Sequence, residues 1–141
     1  MTIRPAALLF ALSLIGAGAA HAADLTLTFT GIKTPTGAVM AAVFDSEAAY
    51  ASGAAPIAGL RMAVTGAGVS QVVPGLKPGR YAIKAFHDVD GDGKMKTNPF
   101  GIPTEPYAFS NNAPASMAPP AWSAAAFDLP ETGAAQSIRI D

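Results

Sequence analysis

The sequence predicts an all-β protein, an antiparallel β-sandwich with one long ordered proline-rich loop. Three observations carry that expectation. Leu25, Leu27 and Phe29 alternate with Thr26, Thr28 and Thr30, a period of two that makes a half-buried strand, whereas a helix would scatter those apolar residues around its surface. Short apolar runs recur between Gly- and Pro-containing turns, the spacing of a sandwich of short strands. Twelve Pro and fourteen Gly in 141 residues disfavour a helical bundle, since each weakens a helix interior, Gly by about 1 and Pro by about 3 kcal/mol.

Taken in order, Asp24 to Thr30 is the first strand and Gly31 to Gly37, with Pro35, a turn. Ala38-Val39-Met40-Ala41-Ala42-Val43-Phe44 is apolar throughout and reads as a strand covered on both faces. Asp45 to Tyr50 suits one helical turn, capped by Asp45 or Ser46, with Glu47 near its positive end and Gly53 and Pro56 stopping it. Leu60 to Val64 and Val69 to Val73 read as two strands joined through Gly66-Ala67-Gly68 in a hairpin. The turn Pro74 to Gly79 starts a strand over Arg80 to Asp88, in which Tyr81, Ile83, Ala85 and His87 share a face. Gln136 to Ile140 is the last strand. The segment from Pro99 to Pro120 holds six prolines, which forbid regular helix or central strand. Phe100, Tyr107, Phe109, Trp122 and Phe127 lie in or just after it, half of the ten aromatics that follow residue 22. Disordered segments are poor in aromatics, so this stretch is expected to be an ordered loop over the sandwich.

Residues 1–22 carry Arg4, an apolar stretch around Leu8 to Leu12, and Ala20-His21-Ala22. These are the three zones of a secretory signal peptide, too short in the apolar zone to be a membrane span. The expectation is cleavage after Ala22, one sandwich domain over residues 23–141, no transmembrane segment after cleavage, and a periplasmic or secreted location. With Lys and Arg numbering 9 against 10 Asp and Glu, there is no basic footprint for nucleic acid. The absence of cysteine excludes a disulfide scaffold, a thiolate metal site and a cysteine nucleophile.

His87-Asp88-Val89-Asp90-Gly91-Asp92-Gly93-Lys94 is the sharpest local signal. Asp88, Asp90 and Asp92 with Gly93 match the opening of a Ca²⁺ loop, in which alternating carboxylates converge on a tightly turned backbone and the Lys94 main-chain carbonyl supplies the next ligand. The twelfth position is Pro99 rather than a bidentate Glu, no helix pattern flanks the loop, and Lys84, Lys94 and Lys96 balance the aspartates. The competing reading is a polar turn, since Asp-Gly twice in succession is itself a turn signal. If Ca²⁺ binds, Glu105 or a carbonyl of the proline-rich segment would complete the shell.

No catalytic constellation emerges. His87 is the one histidine after residue 22, and Asp88, its neighbour in a strand, faces the other way. No Ser sits in a Gly-x-Ser-x-Gly turn, and a zinc or copper site needs more His or Cys than are present. Tyr107, Phe109 and Trp122 have two readings, an exposed platform for a sugar or peptide, or core under a long loop.

Gly75-Leu76-Lys77-Pro78-Gly79-Arg80-Tyr81-Ala82-Ile83 resembles the strand-start motif of prealbumin-like sandwich domains such as carboxypeptidase regulatory domains. His87-Asp88, Gly91 to Lys94, Asn98, Phe100-Gly101-Ile102-Pro103, Glu105, Phe109 to Ala113 and Pro119-Pro120 together resemble the bacterial exported domain-of-unknown-function family numbered 2141. The resemblance implies an extracytoplasmic sandwich and brings no catalytic residues. It also implies an acidic residue where this chain has Lys96, which bears against the metal reading. The expectation is therefore an exported, non-catalytic β-sandwich that binds or scaffolds in the cell envelope, with an envelope protein or a glycan as partner. The alternatives are calcium-dependent recognition of a surface glycan or partner protein, and a hydrolase using His87.

Overall fold

The computed structural model describes residues 21–141, so residues 1–20 of the expected signal peptide lie outside the described residues. The chain runs β1 (Ala23–Thr30), β2 (Ala38–Phe44), helix α1 (Glu47–Ser52), β3 (Ala58–Ala63), β4 (Gly68–Leu76), β5 (Gly79–Asp88), β6 (Tyr107–Phe109), a 3-10 turn (Ser110–Asn112), a short helix α2 (Trp122–Ala125), β7 (Phe127–Leu129) and β8 (Ala134–Arg139). Two sheets face one another. One has the order β4-β1-β8, the other β3-β2-β5-β6, with β7 also on β5. The period-two residues of β1 meet their counterparts across the gap: Leu25, Leu27 and Phe29 are fully buried in one cluster with Val39, Val43, Ile83 and Ile138.

All strand pairs are antiparallel except β1 with β8, which run parallel from Leu25↔Ala134 to Thr30↔Arg139. A parallel neighbour needs a long connection, and more than a hundred residues separate these two strands. The hairpin expected through Gly66-Ala67-Gly68 is not formed. β3 pairs with β2 and β4 with β1, so this glycine-rich link crosses from one sheet to the other. Alternation marks which side chains face the core, and Leu60, Met62 and Val73 do so, but it does not identify the neighbouring strand. Pro74-Gly75, expected as the start of a turn, lies inside β4 instead. Between Ala23↔Leu76 and Leu25↔Val73 the register slips by one residue, and Gly75 has φ +76, the mark of a β-bulge. β4 is an edge strand, where a proline without an N–H is tolerated.

Helix α1 begins as read: the Ser46 side chain accepts from the Ala49 N–H and Gly53 closes it in the left-handed region. The proline-rich segment is ordered over the sheet; it contributes β6 and the 3-10 turn and is followed directly by α2, none of which the periodicity revealed. β5 is consequently covered on both sides. Its inward residues join the main core, while Ala82 joins Phe44, Tyr50, Phe109 and Ala125 in a second cluster on the outer face of the five-stranded sheet.

Candidate ligand cleft and acidic loop

The outer face of the five-stranded sheet can be read in cross-strand rows. Arg61, Met40, Phe86 and Tyr107 are in register across β3, β2, β5 and β6. One step along, Gly59, Ala42, Lys84 and Phe109 form the next row. In that second row Gly59 and Ala42 bring almost no side-chain bulk, and a Cβ built on Gly59 would meet nothing within 4 Å. The result is a trough beside the taller row of Arg61, Met40, Phe86 and Tyr107, and it opens into a cleft of about 1190 Å³. That is at or just above the size of small-molecule sites, about 300–1,000 Å³.

Lys84 stands on the floor. Its Nζ donates to the Tyr50 carbonyl at 2.6 Å and lies 4.4 Å from the Tyr50 ring centroid and 5.5 Å from that of Phe44. Burial lowers the pKa of this ammonium, because low-dielectric surroundings disfavour the charged form. Among the described residues no carboxylate forms a salt bridge with Lys84 or Arg61, and no Asp or Glu lines the cleft. Lys84 thus does not balance the aspartate loop, as the sequence had suggested, but serves the opposite end of the sheet's outer face.

The rim is built by a second turn. Asn98 Oδ1 accepts the N–H groups of Phe100 and Ile102 at 2.9 and 3.0 Å, and Thr97 bridges to Pro103. This turn holds Phe100 and Ile102 out over the cleft, 88 % and 59 % exposed. Met117, also lining it, is fully exposed. A folded monomer gains nothing from holding such large apolar groups in water.

The three aromatics expected as one unit are divided. Tyr107 and Phe109 line the cleft with ring centroids 6.0 Å apart, edge to face; Tyr107 is partly exposed and Phe109 buried. Trp122 packs edge-on against Tyr50 at 5.8 Å, in the second cluster.

The aspartate loop lies beyond the Arg61 row. Asp88 is fully buried. Its Oδ1 accepts from the Gly91 and Asp92 N–H groups at 2.9 and 3.1 Å, and its Oδ2 from Gly93 at 2.9 Å. Glu105 Oε1 accepts from Val89 and Oε2 from Lys96, at 2.9 and 3.0 Å, tying the loop to the base of the Asn98 turn. Carboxylate oxygens of Asp88, Asp90 and Glu105 lie within 4.8 Å of one another. Asp92 is not in that group, and its Oδ1 accepts from the Lys94 N–H at 2.8 Å. Lys96 pairs with Asp90, and this lowers the Asp90 pKa. His87 lies on the core side of β5, 1 % exposed, with Nε2 2.7 Å from the Thr36 carbonyl; as only an N–H can bond there, Nε2 carries the proton. It does not line the cleft.

Sequence reading missed Met40, Gly59, Arg61, Lys84 and Phe86 as site residues. The available signal was that β2 and β5 carry apolar residues at both parities while only one face of each is needed for the main core.

No curated protein and no solved structure matches the chain. A family model described as an uncharacterized protein conserved in bacteria, DUF2141, matches residues 27–138. That span takes in both sheets, the cleft and the acidic loop, and the chain belongs to this family.

Proposed function

We propose that this protein is an exported, non-catalytic binding protein that holds an apolar ligand in the cleft on the outer face of its five-stranded sheet. The observation that carries the reading is the trough over Gly59 and Ala42, roofed by the exposed Phe100, Ile102 and Met117. Apolar clefts with few polar groups are the usual form of small-molecule sites. Burial of His87 and its bond to Thr36 support a structural rather than a catalytic histidine. Export rests on the N-terminal zones and is tested by the mass of the protein recovered from the cell envelope, which should begin at Ala23.

Titration with the uncharged fluorophore N-phenyl-1-naphthylamine tests the cleft. Saturable binding near one site per chain is expected, lost in Gly59→Trp, whose side chain would fill the trough from a position with open space. Binding unchanged by that substitution would refute the site.

A second reading is a cation held by Asp88, Asp90 and Glu105, supported by the 4.8 Å grouping of their oxygens, with oxygen ligands suited to Ca²⁺. It would stabilise the base of the Asn98 turn and so the rim of the same cleft. Calorimetry with Ca²⁺ on chelator-treated protein tests it, and no heat at millimolar ion would remove it.

A further inference from the structure

Among the described residues, the cation on the floor of the cleft has no carboxylate partner, and this bears on what the ligand is. Lys84 Nζ has three donors; the Tyr50 carbonyl takes one, and the Phe44 and Tyr50 rings lie beside it. Those groups hold the ammonium without neutralising it. The remaining wall is apolar, with Met40, Phe86 and Tyr107 on one side of the trough and Phe100, Ile102 and Met117 above. Arg61, at the outer strand of the adjoining row, adds a second positive charge and no negative one.

Resting on the cleft reading above, we infer that the ligand is a single-chain aliphatic carboxylate, with its head on Lys84 and its chain beneath Phe100, Ile102 and Met117. One negative charge matches the one ammonium on the floor. A doubly charged phosphate on Lys84 would find no second cation on the floor itself, since Arg61 stands two strands away in the adjoining row. An uncharged chain would leave Lys84 as it is and gain only apolar contact. The carboxylate makes a charge-assisted hydrogen bond beside apolar walls that lower the local dielectric, and there such bonds are stronger than in bulk water.

Displacement of N-phenyl-1-naphthylamine by dodecanoate and by dodecanol, both below their aggregation concentrations, tests the inference. Dodecanoate should displace at about tenfold lower concentration than dodecanol, the size expected of one charged hydrogen bond. Lys84→Met should bring the two ligands together, and Lys84→Arg should keep the preference. Melting curves of both variants report whether they are folded. Equal displacement by acid and alcohol in the unaltered protein would overturn the carboxylate assignment and leave the cleft standing. Dodecyl phosphate displacing more strongly than dodecanoate would overturn it in favour of a phosphate head. Failure of the fluorophore itself to bind would instead remove the cleft.

Discussion

Ser110 accepts the Ile83 backbone N–H at its hydroxyl oxygen, 2.9 Å away, and thereby fills the interval of β5 between its two short partners on one edge. β7 pairs with Gly79 to Tyr81 and β6 with Lys84 to Phe86. The same hydroxyl donates to the Ala125 carbonyl at 2.5 Å, so one fully buried side chain holds both α2 and the proline-rich segment against the sheet.

Ser110→Ala should leave a buried donor and a buried acceptor unpaired. Each costs about 1–3 kcal/mol, and a loss of about 2–4 kcal/mol in urea unfolding is expected. Loss below about 1 kcal/mol would mean that water or a rearranged segment satisfies both groups.

Gly37 has φ +70, and a Cβ built on it would lie 1.9 Å from the Asp88 carbonyl oxygen. An alanine there needs both a left-handed backbone and displacement of β5. Gly37→Ala should destabilise by at least about 2–4 kcal/mol. Gly59→Ala, with open space around its Cβ, should stay within about 1 kcal/mol of the parent. The difference between the two melting temperatures is the measurement.

Lys96 holds Asp90 below the usual carboxylate pKa through a side-chain hydrogen bond and the charge of the ammonium. A carboxylate with a depressed folded value contributes stability that is present above its unfolded pKa and is lost as pH falls through the folded one. Both groups are solvent-exposed, so the expected stability change is small and falls further with salt. The readout is therefore the titration of Asp90 by carboxyl chemical shift. Its midpoint should lie below the ordinary value and move up toward it in Lys96→Ala; an unmoved midpoint would show that the pair does not persist in solution.

Asp88→Asn keeps an acceptor for Gly91 and Asp92 but sets an amide N–H₂ against the Gly93 N–H. Loss of that charged acceptor should cost about 1–3 kcal/mol. If the loop stands without a cation, the cost should be the same with chelator as with millimolar Ca²⁺. A parent protein stabilised by Ca²⁺, with the gain absent in the variant, would establish the cation reading.

The legible part of this fold was what single residues impose locally. The threonine alternation of β1, the Ser46 cap and the Gly53 stop are each set by neighbours in sequence, and each stands as read; Asp88 closes a local turn through its carboxylate, a geometry common to both readings of its loop. Pairing was not legible, because Leu60 and Val73 bury themselves equally well in a hairpin or in two sheets. The cleft was only half legible. Tyr107 and Phe109 stood out as aromatics, whereas Gly59 and Ala42 matter for bulk they lack, and Lys84 for a carboxylate partner it lacks among the described residues. Absences of that kind become visible only when three strands are laid side by side.

His87 separates a binding protein from an enzyme. Its ring fills space on the core side of β5, and Nε2 donates to Thr36, the residue before the constrained Gly37. His87→Ala should therefore open a cavity and free a carbonyl at the point where β2 is entered, with a loss of about 3 kcal/mol or more. His87→Gln, which can donate to the same carbonyl, should recover part of it. Ligand displacement at the cleft should be unchanged in whichever variant remains folded, since His87 lies on the opposite face of the sheet. A hydrolase would behave in the reverse way: His87→Ala would keep its melting temperature and lose turnover of an ester substrate that the parent cleaves.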